Sequence, residues 1–187
     1  RSMRHYKRPL TIGRANLDYR LDNHHSLNLN YLLSRIGNDR YDEADTDFEA
    51  SNDILAKHVT GFSYNQSLLE EKMSNTFFVK NYINHLNIRQ TDLSSITVKG
   101  TITKKYWGYG IGSRYTAIEP LSIKISYEHS VRLPLARELL GNGTTIYANV
   151  ALKPESSDNV NLGIFGTWHP APGHTLYYEA NGFLRYV

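Results

Sequence analysis

Apolar and polar side chains alternate with a period of two along run after run of about ten residues, and this limits the fold more than any other feature. In Pro120–Val131, Leu121, Ile123, Ile125 and Tyr127 fall on one face and Ser122, Lys124, Ser126 and Glu128 on the other. Asn159–Trp168 repeats the pattern with Val160, Leu162, Ile164 and Trp168 against Asn159, Asn161 and Thr167. Thr175–Tyr186 sets Leu176, Tyr178, Ala180, Leu184 and Tyr186 against Tyr177, Glu179, Asn181 and Arg185. Successive side chains of a strand point to opposite sides, so each run predicts a strand with one apolar and one polar face.

Ile12–Leu21, Ser26–Ile36 and Lys104–Ala117 read the same way. Ala56–Asn65 and Ser74–Arg89 are apolar on both faces in places, as at Phe77 and Phe78, and their register is less defined. The count is about eight antiparallel strands in a meander, an all-β chain. A strand that crosses a bilayer needs roughly 9–11 residues, against a usual length of about 5–6, and most of these runs reach the longer figure.

No run of roughly 18 apolar residues exists, which excludes a transmembrane helix. The content of 40% hydrophobic and 21% charged residues suits a soluble domain, but a membrane barrel has the same average because only alternate side chains meet lipid. The 14 Tyr, 2 Trp and 6 Phe favour strands and suit the aromatic girdles of such barrels. With no Cys, disulfide frameworks and thiolate zinc sites are excluded. The 21 basic residues nearly balance 18 acidic ones, so nucleic acid is not an expected partner.

The connections alternate in length along the chain. Asp22–His25, Gln66–Lys72, Ile118–Pro120 and His169–His174 are short, whereas Gly37–Asp53, Gln90–Gly100 and Arg132–Ser157 are longer. Outer-membrane barrels put short turns on one rim and long loops on the other. The expectation is that all long connections emerge on one side. Lys124, Glu128, Asn161, Glu179 and Arg185 should then face a lumen, and Leu121, Ile123, Ile125, Leu162 and Tyr178 should face lipid.

Two stretches carry a family resemblance. Ser126-Tyr127-Glu128-His129-Ser130-Val131-Arg132-Leu133-Pro134, followed by Glu138-Leu139 and Gly141, resembles a strand ending in an Arg-Leu-Pro corner that opens an external loop. Asn149, Leu152-Lys153-Pro154-Glu155, Ser157, Asn159 and Leu162-Gly163 resemble the exit of that loop; Val150 departs from the pattern, where many relatives have Pro. Together, Ile125–Gly166 resembles the later barrel of TonB-dependent outer-membrane receptors, particularly those of Bacteroides-like bacteria.

The resemblance implies a 22-strand transmembrane barrel plugged by an amino-terminal domain, of which residues 1–187 form a part. The plug, the segment that contacts TonB and the last barrel strands are expected to be absent from this chain, and Val187 does not look like a natural barrel end. Arg1–Pro9 has basic residues without an apolar stretch behind them, so no signal peptide is visible. The implied function is uptake of a scarce nutrient (an iron chelate, haem, cobalamin or a glycan) with energy passed on by TonB. The implied partners are outer-membrane lipid, TonB through the plug segment, and a small-molecule or glycan ligand. No cofactor is implied, and the ligand-contacting residues are not identified.

The residues suggest few sites of their own. Asp39, Asp42, Glu43, Asp45, Asp47, Glu49 and Asp53 crowd one stretch, and hard cations favour clustered oxygens, but the glycine of a calcium loop is missing and a solvated loop is the plainer reading. His24-His25 has only Asp22 as an adjacent acid, and His58, His85 and His129 lie on strands, where they are expected to fill a polar wall. Gly108, Gly110 and Gly112 recur at the strand period rather than in a phosphate-binding loop, and are expected to leave room on the inner wall for an element such as a plug. No nucleophile sits in an elbow context, so no catalytic residue and no enzyme activity is expected. The alternative is a soluble β-rich binding module, in which the face of Leu121, Ile123, Ile125, Val160, Leu162 and Ile164 would pack on a second sheet.

Overall fold

The period-two runs form one continuous sheet. The computed structural model describes residues 4–42, 51–91, 97–118, 120–135, 138–139, 149 and 151–187. Its strands are β1 (Arg4–Lys7), β2 (Leu10–Arg20), β3 (His25–Asp42), β4 (Ser51–Leu68), β5 (Met73–Thr91), β6 (Thr97–Ile118), β7 (Leu121–Arg132), β8 (Glu155–Ala171) and β9 (His174–Tyr186). From β3 to β9 each strand pairs antiparallel with the next.

β1 and β2 both pair with β3, β1 along Asp39–Asp42 and β2 along Ser26–Ile36. They act as one strand broken at Arg8-Pro9, so the sheet has the eight-strand meander that the alternation predicts. Proline has no N–H to give the ladder, yet the Pro9 carbonyl still accepts from the Gly37 N–H at 2.9 Å. A Cβ at Gly37 would lie 2.8 Å from Pro9 Cγ, so the break needs a glycine opposite it.

The pairing joins like faces across the sheet. Tyr19, Leu27, Tyr64, Phe77, Ile111, Tyr127, Val160 and Leu184 form one transverse row, because each is the register partner of the next. Ile123, Ile125, Leu162 and Ile164 lie on the same face and are 38–55% exposed. Among the described residues no second sheet covers them, which removes the soluble-sandwich arrangement. Gly166 and Tyr178 are partners on this face. A Cβ at Gly166 would collide with the Pro120 carbonyl and the Tyr178 hydroxyl, and that hydroxyl donates to the Pro120 carbonyl. The ring thus fills the space over the glycine and ties β9 to the turn before β7.

The meander places the turns between β2 and β3, β4 and β5, β6 and β7, and β8 and β9 on one rim, with the longer connections on the other, as expected. Two long connections are shorter than the sequence suggests. β3 and β4 stay paired from Gly37↔Ile54 to Arg40↔Ser51, and β5 and β6 out to Thr91↔Thr97. Polar residues there continue the ladder beyond the apolar band. On the short rim, the Asp22 carboxylate accepts from the His24 N–H at 2.7 Å, and Leu69, Glu70 and Glu71 all have positive φ (54°, 55° and 68°).

Candidate functional site

The polar face is a built wall with two bridges of the same design. Lys80 of β5 reaches over β6 to Glu128 of β7 (Nζ–Oε1 3.4 Å), and Lys124 of β7 reaches over β8 to Glu179 of β9 (2.9 Å). In each case the strand between presents glycine beneath the lysine: Gly108 pairs with Lys80, and Gly163 pairs with Lys124. A Cβ at Gly163 would lie 2.7 Å from Lys124 Cε and 2.4 Å from Asn181 Oδ1, so a larger residue blocks the crossing. Asn181 also donates to Glu179 at 2.9 Å. Both ammonium groups lie near a phenylalanine ring, Lys80 at 4.7 Å from the Phe78 centroid and Lys124 at 5.8 Å from that of Phe165. The pairs are about half exposed, so each contributes at most about 1 kcal/mol. Their role is to hold charge at fixed places on the wall.

The glycines at 108 and 110 do not leave the open room expected of them. The Phe78 ring lies against Gly110 and the Tyr82 ring against Gly108, both from the neighbouring strand, whereas Gly112 has only Ser126 Cβ nearby, at 3.8 Å. Amides and hydroxyls pair elsewhere on this face: Asn159 donates to Ser130 Oγ at 2.9 Å, Asn161 to Ser126 Oγ at 3.2 Å, and Thr76 to Asn65 Oδ1 at 2.8 Å. Arg114 and Arg185 share this face and have no carboxylate partner among the described residues.

The long connection between β7 and β8 is fastened to the same wall. Leu139 is buried with Leu55, Leu86 and Ile88, and Ile102 and Leu152 pack against them. Lys57 donates to the Pro134 carbonyl, and Lys104 to the Leu152 carbonyl at 3.3 Å. Arg132 joins the two stems through Glu138 and Glu155, each at 3.3 Å. A small cavity remains beneath, lined by Asn84, Lys104, Tyr106 and Pro134 among others, and Asn84 Oδ1 has no hydrogen-bond partner there. The Arg132-Leu133-Pro134 corner, Glu138-Leu139 and Leu152-Lys153-Pro154-Glu155 are therefore the two ends of this attachment. Lys57, Lys104, Leu55 and Leu86 complete it; nothing in their local sequence distinguishes them, because only register brings them under the connection.

The acidic stretch spans the β3–β4 hairpin. Asp39 and Asp42 belong to β3 and Asp53 to β4, where Asp53 is fully buried, while Glu43, Asp45, Asp47 and Glu49 lie outside the described residues. Among the described residues no three metal-ligating side chains converge. His24 sits at the short-rim turn and His25 Nδ1 meets the Tyr64 hydroxyl at 2.6 Å. The backbone N–H of His24 holds the Asp22 carboxyl below the usual aspartate range.

His58, His85 and His129, which the sequence placed on a polar wall, are not there. The register puts them on the apolar face, near its long-loop edge, because they share strand parity with Phe62, Phe77 and Ile125. There His58 bonds the Tyr31 hydroxyl (2.7 Å), His85 the Thr103 hydroxyl (2.9 Å) and His129 the Asp158 carboxylate (2.8 Å). Asp158 also accepts from Tyr127 at 2.8 Å.

Comparison with known proteins agrees with this architecture. A family described as TonB dependent receptor-like, beta-barrel matches residues 81–185. Among solved structures, the chain is similar to the copper transporter OprC, with a TM-score of 0.74 at 14% identity over 96% of this chain and 30% of that one. It is also similar to the hemophore receptor HasR of Serratia marcescens, solved as a double mutant with its hemophore HasA and heme, with a TM-score of 0.59 at 13% identity over 98% of this chain and 33% of that one. The chain thus spans about a third of either structure. No curated protein sequence matches it.

Proposed function

The chain belongs to the TonB-dependent receptor-like β-barrel family, and from that premise we propose that it forms part of the wall of a bacterial outer-membrane receptor that takes up a scarce nutrient with energy passed on by TonB. The observation that carries this reading is a sheet with one uncovered apolar face and one polar, charge-bridged face. In a large barrel these are the lipid side and the lumen side. The polar wall then borders the path of the solute, and the connection fastened over Leu55 and Leu86 narrows the path near the long-loop rim. The family's function is transport, and the described residues of this wall are built from salt bridges, amides and hydroxyls.

The plug and the TonB-contacting segment belong, in this reading, to other parts of the receptor. The solute is of the class such receptors serve: an iron chelate, haem, cobalamin or a glycan. The named neighbours handle copper in one case and a heme-carrying hemophore in the other. The test uses the full-length receptor in a strain whose growth is limited in turn by each class. Growth on one of them that stops when TonB is removed is expected. Uptake that persists without TonB, or a receptor found outside the outer-membrane fraction, would overturn the reading.

A further inference from the structure

β6 loses one of its two neighbours halfway along. It pairs with β5 out to Thr97, but with β7 only from Ile118 to Tyr109, whose partner is His129. β7 meanwhile stays paired with β8 as far as Arg132↔Glu155. The two strands therefore part just beyond Gly108, where a Cβ would lie 3.1 Å from the His129 carbonyl oxygen. From Thr97 to Trp107 the edge of β6 that faces away from β5 has no ladder partner in β7.

A cleft of about 570 Å³ occupies the parting, within the roughly 300–1,000 Å³ of small-molecule pockets. Lys104 and Tyr106 line it from the polar side of β6, whereas Trp107, His129 and Val131 line it from the apolar side. Neighbouring side chains of a strand point to opposite faces, so a cavity that touches both parities runs across the sheet. Lys153 and Pro154 of the long connection complete it. The walls are held in place: Tyr109 stacks on His129 with ring centroids 5.2 Å apart, and His129 Nδ1 meets the Asp158 carboxylate at 2.8 Å. Lys104 Nζ donates to the Leu152 carbonyl at 3.3 Å, which brings it beside the next residue, Lys153. No Asp or Glu lines the cleft among the described residues. The adjacent acids are engaged, Asp158 by His129 and Tyr127 and Glu155 by Arg132.

We propose that this cleft binds an amphipathic carboxylate, an acyl chain ending in a single negative charge. The rings of Tyr106 and Trp107, with Val131 and Pro154, offer an apolar track for the chain. The ammonium groups of Lys104 and Lys153 offer the charge that its head needs. A slot between two strands suits an elongated body. An inorganic anion would leave the apolar track empty, and a neutral glycan would set many hydroxyls against rings and aliphatic carbon. The site goes beyond the transport reading; only the statement that its outward mouth meets lipid rests on that reading.

The test uses the full-length receptor in non-ionic detergent, its folded state read by heat-modifiable migration. The probe is dodecanoate carrying a photoreactive diazirine at its chain end, with crosslinks mapped by mass spectrometry. In wild type, labels are expected on residues 104–107, 129–131 and 151–156. Unmodified dodecanoate should compete about tenfold better than its uncharged methyl ester, the factor expected for one charge-assisted contact. Butyrate, which has the charge without the chain, should not compete at the same concentration. The Lys104→Gln/Lys153→Gln double variant should label about tenfold less, Val131→Trp should close the slot and abolish the label, and Lys72→Gln at the opposite rim should match wild type. Where a variant fails to fold, Lys153→Gln alone, at an exposed position, takes its place and should also label less. Labels spread evenly over the apolar face, equal competition by the ester, or unchanged labelling in the folded variants would overturn the proposal. Such a result in a receptor that still shows TonB-dependent uptake leaves the transport reading intact. Mapped, charge-dependent labelling in a receptor without such uptake would overturn that reading and support the site.

Discussion

Ile123 and Lys124 are consecutive residues of β7, paired with consecutive residues of β8, Ile164 and Gly163, yet they lie on opposite faces of the sheet. On the Ile123 side, aliphatic residues face each other across strands and lie uncovered. On the Lys124 side, a glycine opens a channel for a side chain to cross a whole strand and end on Glu179. The backbone ladder is the same for both. Strand pairing alone therefore does not say what a side chain costs or contributes; the medium on its side of the sheet does.

The largest break in this contrast should come from charge on the uncovered apolar face. In the full-length receptor, Ile123→Arg is expected to cost about 2–4 kcal/mol and to deplete the heat-modifiable folded band in the outer membrane. Lys124→Ala should leave that band intact. Equal tolerance at the two sites would contradict the assignment of faces.

Next in size is the attachment of the long connection. Leu139→Ala empties part of the cluster with Leu55, Leu86 and Ile88, and is expected to cost about 2 kcal/mol, at the lower end for a buried leucine because a connection can partly close the gap. Faster proteolysis between residues 133 and 154, with the folded band unchanged, is the readout. Unchanged cleavage would show that the connection is not held by this contact.

A smaller effect sharpens the wall side. The coupling between Lys124 and Glu179 in a double-mutant cycle of thermal unfolding should be below about 1 kcal/mol, because the pair is half exposed. Gly163→Val should remove the coupling by blocking the crossing, even though both charges remain. Retained coupling in that background would mean that the lysine takes another route.

The smallest effect is expected at the short-rim turn. The His24 N–H lowers the Asp22 pKa in the folded chain, so Asp22 stabilises the turn at pH above its unfolded pKa and loses that contribution as pH falls through the lower folded value. The stability advantage of wild type over Asp22→Ala should therefore shrink only on acidification below the usual aspartate range. An advantage that grows on acidification would have the wrong sign.

Much of this was legible in the sequence. The eight runs, their faces and the side on which the long connections emerge all follow from the period of two, since a residue's parity in its strand fixes its face once pairing is set. The Arg132-Leu133-Pro134 and Leu152-Lys153-Pro154-Glu155 segments also marked the two ends of the long connection between β7 and β8. Pairing at Asn38↔Asp53 was not legible, because polar residues beyond the apolar band look like loop until an opposing strand is known. Nor was the placement of His58, His85 and His129, since imidazole suits either a wet wall or the edge of a membrane.

What the sequence determined by itself is the alternation, and with it strands, a two-faced sheet and the sign of each face, because those are properties of neighbouring residues along one chain. What only the tertiary structure decided is every relation between residues far apart: Phe78 and Tyr82 filling the space over Gly110 and Gly108, Lys124 crossing Gly163 to Glu179, and Leu139 buried against Leu55 and Leu86. Those contacts depend on register, and a shift of one residue would preserve every strand while turning each side chain to the other face.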